Sequence, residues 1–223
     1  MPVEALQMNR PRRWRRVLPT AWVALVIGVA PGTSDGNSSD TPVVPETQLA
    51  VARTAADDLG ARLRALLMAE LARGGPQGAV EACAAQAQEA TLEEAARHGV
   101  ALRRVSLQYR NPADAPDEFE RAALERLAAG ARQGSLPAEV AQVTAGPDGG
   151  SELRYLRPIV LAPQCLGCHG KVAELAPGVA AILAQRYPGD LATGYAAGDL
   201  RGAVSVRVAL PKDLPAAAVQ KVP

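Results

Sequence analysis

The stretch Gln164-Cys165-Leu166-Gly167-Cys168-His169-Gly170 sets two thiols around a two-residue spacer, with an imidazole directly behind the second. This C-x-x-C-H arrangement is the pattern of c-type haem attachment. The chemistry explains the spacing. Each thiol adds across one haem vinyl group, so the two sulfurs must reach neighbouring edges of one porphyrin, which a single turn of chain allows. The same turn carries the next side chain beneath the iron, where an imidazole is a good axial ligand. Three plainer readings compete. A thioredoxin-like redox pair needs βαβ surroundings, which the sequence does not offer. Half of a zinc site is conceivable, because Cys83 and His98 remain, but there is no second C-x-x-C and no H-x-x-x-H. A Cys165–Cys168 disulfide closes a very small loop and adds little to a fold.

The rest of the chain has to position this motif. At 223 residues, 48% hydrophobic and with net charge +1, it reads as one ordinary globular domain with extensions, long enough to bury a real core. Near-neutral charge makes no case for a nucleic-acid partner, which needs a basic face. Three cysteines, an odd number, do not form a disulfide framework.

Residues 1–32 read as a signal peptide or N-terminal anchor. Arg10, Arg12, Arg13, Arg15 and Arg16 precede the apolar run Val17 to Ala30, which is broken by Pro19. The run is short for a transmembrane helix and suits a signal-peptide core; initiation at Met8 gives a more usual leader. Small residues at Gly28, Ala30 and Gly32 offer cleavage points, although Pro31 disfavours a cut after Ala30. Removal takes away five arginines and one glutamate from 24 basic and 23 acidic residues, leaving a mildly acidic chain. The expected location is periplasmic or otherwise exported, with membrane contact only through an uncleaved N-terminus. Export and covalent haem are independent signals that agree.

Residues 33–47, rich in Ser, Asp, Pro, Gly and Asn, read as a flexible linker. Residues 48–214 form the expected domain, and 215–223 a tail. Leu59, Leu63, Leu66, Leu67 and Leu71 recur at helical spacing until Gly74-Gly75-Pro76. A second, shorter helix sets Val80, Cys83, Ala84 and Ala87 on one face, and His98 closes the next helical stretch as a C-terminal histidine before Gly99. Cys83 in that setting reads equally as a small core residue. A strand pattern runs from Val100 to Tyr109. Asn111-Pro112 turns the chain, and Asp114 and Asp117 start a helix reaching about Ala131, with Phe119, Ala123 and Leu127 inward. Strands over Val140–Ala145 and Leu153–Leu161 form a hairpin that leads into the motif. Pro177 opens a helix with Val179, Ile182 and Leu183 inward, and Val204, Val206, Val208 and Leu210 alternate as the last strand. Helices first and antiparallel strands after predict an α+β domain. The usual small C-x-x-C-H cytochromes are helical, with an early motif and a later Met ligand; here the motif is late and no Met follows it.

Several segments together are similar to one known family. They are Val105-Ser106-Leu107-Gln108-Tyr109-Arg110-Asn111-Pro112 with Ala115-Pro116-Asp117, and Tyr155-Leu156-Arg157-Pro158. After the motif come Tyr187-Pro188-Gly189-Asp190, Gly194-Tyr195 and Gly198-Asp199-Leu200-Arg201-Gly202. With the Cys83 helix these cover about Leu49 to Pro211. The chain resembles the exported single-haem c-type family with a PAS-like fold, the Tll-type haem domain. The resemblance implies a PAS-like antiparallel sheet flanked by helices, with one or two N-terminal helices packed on a single haem c. It implies iron ligated by His169 and by Cys83. It also implies a role in electron transfer or in sensing redox state or small gases, with an unidentified electron donor, acceptor or signalling partner.

From the residues alone, the sixth ligand is Cys83, His98, Met68 or none. Cys83, unpaired on an apolar helix face, is the economical choice, since iron stabilises a thiolate. Haem propionates need cations or hydroxyls: Arg110, Arg154, Arg157, Arg201, Tyr187 and Tyr195 are candidates, each with surface packing as the plainer alternative. The competing functional class is a haem enzyme, peroxidase-like or nitrogen-oxide-reducing, with an open distal position and His98 as its polar group. A PAS-like ligand-binding module with structural haem is a third class.

Overall fold

Leu49, Ala52, Ala56 and Leu59 recur at three- and four-residue intervals and are all buried on one face of a long helix. The fold is a computed structural model that describes residues 44–211. The expected leader, most of the linker and the tail lie outside the described residues. The helical segment α1 (Glu46–His98) starts within the expected linker, with Pro45 ahead of it. At Gly75 the backbone takes φ 62° and ψ −163°, and Pro76 follows. A positive φ is cheap only for glycine, and proline cannot continue the preceding helical hydrogen-bond ladder. The chain therefore reverses there, and α1 is a helical hairpin with arms 46–74 and 76–98. Ion pairs from Arg62 to Glu93 and Glu94, and from Arg97 and His98 to Asp58, tie the two arms antiparallel.

Two sequence expectations change here. The Cys83 helix and the stretch ending at His98 are one continuous arm, closed by Gly99 in the left-handed conformation. The buried stripe of the first arm lies nearer its start, at Leu49 to Leu59, while Leu66, Leu67 and Leu71 are only half-buried. Alanines supply most of that stripe because they let the helix lie close to the sheet. No described helix is long and apolar enough to cross a membrane.

The sheet holds β1 (Ala101–Val105), β2 (Val140–Ala145), β3 (Ser151–Val160) and β4 (Leu200–Ala209) in the order β1-β4-β3-β2, every neighbour antiparallel. The register sets Leu102 opposite Val206, Val206 opposite Tyr155, and Tyr155 opposite Ala141. This row packs against the first arm of α1 as the main core. The other face carries Val105, Leu156 and Ala203 against Ala123 and Leu124 of α2 (Glu118–Arg132). Asp117 and Glu120 form a reciprocal capping box at the start of α2, as the Asp-x-x-Glu pattern suggests. The result is an α+β domain with a PAS-like antiparallel sheet between helices.

β1 ends at Val105 rather than running to Tyr109. Ser106 turns away, its N–H bonded to Asp114 O at 3.1 Å and its hydroxyl to Arg201 O at 2.7 Å. Residues 106–111 thereby become a loop that reaches the motif region. β4 passes this corner with Gly202 at φ 157°, where a Cβ would sit 2.2 Å from Val105 O. Only glycine fits.

Candidate functional site

Past β3, Pro163–Cys165 makes a short 3-10 turn and α3 (Leu166–His169) completes the motif. This tight turn brings Cys165, Cys168 and His169 round one local axis. A second 3-10 turn, Val172–Glu174, leads to α4 (Val179–Arg186). Val179 and Leu183 of α4 pack on Val80 of the hairpin's second arm, with Cys168, Leu175, Ala176 and Tyr187 at the margin. Val80 is three residues ahead of Cys83, so the arm that carries Cys83 is held against the motif segment.

All three thiols are free and half-buried. Burial pushes the Cys83 thiol up, while the Arg104 and Arg110 guanidiniums pull it down. Burial also raises Cys168, opposed by Arg110, and a thiolate at Cys83 raises it further. Cys83 and Cys168 thus lie within one another's electrostatic reach. Tyr187 belongs to the same group: burial raises its hydroxyl, and Arg110, Cys83 and Arg104 all act on it.

His169 is the most sharply defined member. Its Nδ1 lies 2.8 Å from Ala192 O. A carbonyl can only accept, so Nδ1 carries the proton and Nε2 is left as a lone pair. Burial, with Arg201 and Arg110 nearby, pushes the imidazole pKa down to about 3. A neutral ring with a bare Nε2 is the form that binds a metal. Tyr195 meets this ring edge-on, centroids 6.4 Å apart, and the Arg201 guanidinium lies 5.8 Å from the Tyr195 ring centre. Arg201 Nη1 donates to Ser106 Oγ at 2.7 Å and to Gln108 O at 3.0 Å. Among the described residues it has no carboxylate at ion-pair distance.

The structure therefore gathers Cys83, Cys165, Cys168, His169, Arg110, Tyr187, Tyr195 and Arg201. It does not gather Arg157, which pairs with Asp57 at 3.2 Å and lies over Tyr155. Arg154 is on the opposite face of the sheet, bound to Asp117 at 2.6 Å. Among the alternative ligands, Met68 is 60% exposed, and His98 is bonded to Asp58 at 3.0 Å at the base of the hairpin.

Sequence reasoning missed two residues. Arg104 shares a face of β1 with Leu102, and its Nε is buried without a partner; adjacent Arg103 and Arg104 must point to opposite faces, so one had to turn towards the hairpin. Asp190 accepts from Ala192 N–H at 2.8 Å and pairs with Arg110 at 3.1 Å. Its place in a Pro-Gly-Asp loop was the available signal.

A PAS-like sheet with a C-x-x-C-H turn docked beneath a helical hairpin defines an α+β domain built around two thiols and an imidazole. The chain belongs to the Tll0287-like family, whose family model matches residues 29–209. Among solved structures it is similar to the crystal structure of the cyanobacterial heme-protein Tll0287, at 26% identity over 77% of this chain and 99% of that one, with a TM-score of 0.56. No curated protein matches the sequence.

Proposed function

We propose that the domain binds one haem c, attached through Cys165 and Cys168, with His169 and Cys83 as its axial donors. The observation that carries this reading is the His169 ring, tied through Nδ1 so that Nε2 is bare, on the same turn as two free thiols and next to the helical arm that carries the remaining thiol, Cys83. The family relative named a heme-protein supports it.

The donor set fits the group. Cys165 and Cys168 would hold haem through thioether links to its two vinyl groups. Cys83 would bind as thiolate; burial disfavours that charge in the free side chain, and Arg104 and Arg110 offset part of the cost. Arg201, with no carboxylate at ion-pair distance among the described residues, is a cation suited to the propionates, and Arg104, whose Nη2 reaches Asp114 only at 3.9 Å and whose Nε has no partner, is a second. Bound haem supplies a one-electron ferric/ferrous couple.

With protein donors on both axial sides, outer-sphere electron transfer needs no open position. We therefore favour electron transfer or redox sensing over catalysis, with gas sensing requiring that one axial donor first leave. The polar group an enzyme would want, His98, stands about 20 Å along the arm from Cys83 at 1.5 Å per residue. The arginine block and short apolar run of the N-terminus support a location outside the cytoplasm.

Coexpression of the full chain with a haem c maturation system tests the proposal. The expected product keeps its haem through acid-acetone extraction and on denaturing gels. A colourless product carrying zinc overturns it.

A further inference from the structure

The loop after α4 does more than pass the motif. Asp190 and Arg110 form a buried two-pronged ion pair there: Nε lies 3.2 Å from Oδ1 and Nη2 3.1 Å from Oδ2. The side chains are 11% and 10% exposed, so the pair is largely screened from water and its geometry is held. Asp190 Oδ1 also accepts the Ala192 N–H at 2.8 Å, folding the loop so that the Ala192 carbonyl faces His169. From the other side, Arg110 Nη2 donates to Cys168 O at 2.7 Å and reaches Ala192 O at 3.4 Å. One guanidinium thus grips both the motif helix and the loop that receives the imidazole proton. The loop is fastened on either side of this point, by Leu191 N–H to Tyr109 O at 3.1 Å and by Tyr195 N–H to His169 O at 3.0 Å.

The sequence offered Arg110 as a carboxylate anchor. Its Nε and Nη2 are instead committed inside the protein, which points to a different task. A carbonyl accepting the Nδ1 proton fixes the tautomer, fixes the ring plane, and makes Nε2 a stronger donor. Ala192 has no side chain able to steer its own carbonyl, so the steering comes from the pair. We propose that Arg110 and Asp190 are positioning residues for His169: they hold the Ala192 carbonyl on Nδ1 and so present Nε2 as a fixed, electron-rich donor to the iron.

This inference rests on the haem reading, and the experiment keeps the two apart. The full chain is compared with Asp190→Ala, Arg110→Lys, and Asp57→Asn as a control whose carboxylate pairs elsewhere, with Arg157. In the haem-loaded protein, both clamp variants should retain the thioether links. The ferric low-spin paramagnetic resonance signal should broaden or split into more than one species, and the reduction potential should rise, because a less firmly bonded imidazole donates less charge. In the haem-free full chain, nitrogen–proton correlation spectra should show His169 as the Nδ1–H tautomer alone in the parent and the control. The Nε2–H tautomer should appear in both clamp variants.

A pair that merely staples the loop would lower the melting temperature and leave these signatures in place. If the tautomer, the resonance signal and the potential all stay at parent values, the proposal is overturned, whatever happens to stability. If the two substitutions prevent folding, the isosteric Asp190→Asn carries the same measurements with the same expected directions. Should the parent take up no covalent haem, the haem reading falls, while the tautomer measurement still decides the clamp.

Discussion

Glu120 Oε1 accepts the Ser205 hydroxyl at 2.7 Å, joining the first turn of α2 to the middle of β4. Glu120 is wholly buried. Its other oxygen takes the Asp117 N–H at 2.9 Å, and the Arg154 guanidinium lies 3.6 Å away. One carboxylate therefore caps a helix, receives a strand hydroxyl and faces a buried cation. Removing it strands the Ser205 hydroxyl and the Asp117 N–H, while Arg154 keeps Asp117 at 2.6 Å. Glu120→Ala should cost about 2–4 kcal/mol, two buried hydrogen bonds to a charged group lost together. Ser205→Ala should cost about 1–2 kcal/mol, the loss of one hydrogen bond to a charged group. Urea unfolding midpoints at neutral pH measure both, and equal costs would show that the carboxylate is not the hub.

Acid should loosen the first arm of the hairpin through Glu139. Its carboxylate accepts from Arg53, at 2.6 Å from Nη2, and from the Tyr155 hydroxyl at 3.0 Å. Arg53, partly opposed by burial, holds the Glu139 pKa below its ordinary 4.5. A carboxylate with a lowered folded pKa adds stability in full above 4.5. That contribution fades as pH falls through the lowered value. Glu139→Gln should therefore be less stable than the parent at pH 7 by about 1 kcal/mol, kept small by the partly exposed arginine. The difference should shrink towards nothing in strong acid. Melting curves of both proteins from pH 7 to pH 2 test the sign.

The corner where β4 passes β1 admits no side chain. Gly202→Ala sets a methyl carbon 2.2 Å from Val105 O at φ 157°, and should cost at least about 2 kcal/mol by strain and displacement of the strand. Gly134→Ala, with φ 69° and open space around it, should cost about 1 kcal/mol from backbone conformation alone. Comparing the two melting temperatures isolates the contribution of the close approach.

Cys83 and His98 make opposite expectations under the proposed ligation. Cys83→Ser should turn the ferric spectrum high-spin or water-ligated and raise the reduction potential, because an anionic sulfur donor favours the ferric state. The haem should stay covalently attached. His98→Ala should change neither spectrum nor potential, since His98 is occupied with Asp58. A low-spin spectrum untouched by Cys83→Ser would rule out the thiolate assignment.

Much of this was legible from residue pattern. Alternation of Val204, Val206 and Val208 marked β4, and the turn at Gly146 to Gly150 between two apolar stretches marked β2 and β3. The Asp117–Glu120 box marked α2 because an exposed helix start needs its N–H groups met. Gly75-Pro76 announced a break, but not that the chain would reverse; that depends on ion pairs between residues far apart in sequence, such as Arg62 and Glu94. β1 was read too long because Leu107 and Tyr109 continue the apolar pattern, while the hydrogen bonds that turn Ser106 away come from Asp114 and Arg201. At the site, local spacing marked Cys165, Cys168 and His169. Arg157 stood out only as an arginine near the motif in sequence, and its partner Asp57 is supplied by α1. Asp190 in its Pro-Gly-Asp loop and Arg104 beside Arg103 each carried a faint local signal, but the partners that give them their roles are brought by the fold.

The two arms of the hairpin pack against different partners. The first arm is pinned to the sheet through the main core and by Arg53–Glu139 and Arg157–Asp57. Beside Cys83, the second arm's apolar purchase is Val80 on Val179 and Leu183, and those residues belong to α4 rather than to the sheet. The far end of the second arm is tied back to the first by Arg62–Glu94 and His98–Asp58. Near Cys83, the contact with the segment that carries His169 rests on Val80, Val179 and Leu183, so trimming any of them loosens the cofactor side of the domain more than its sheet.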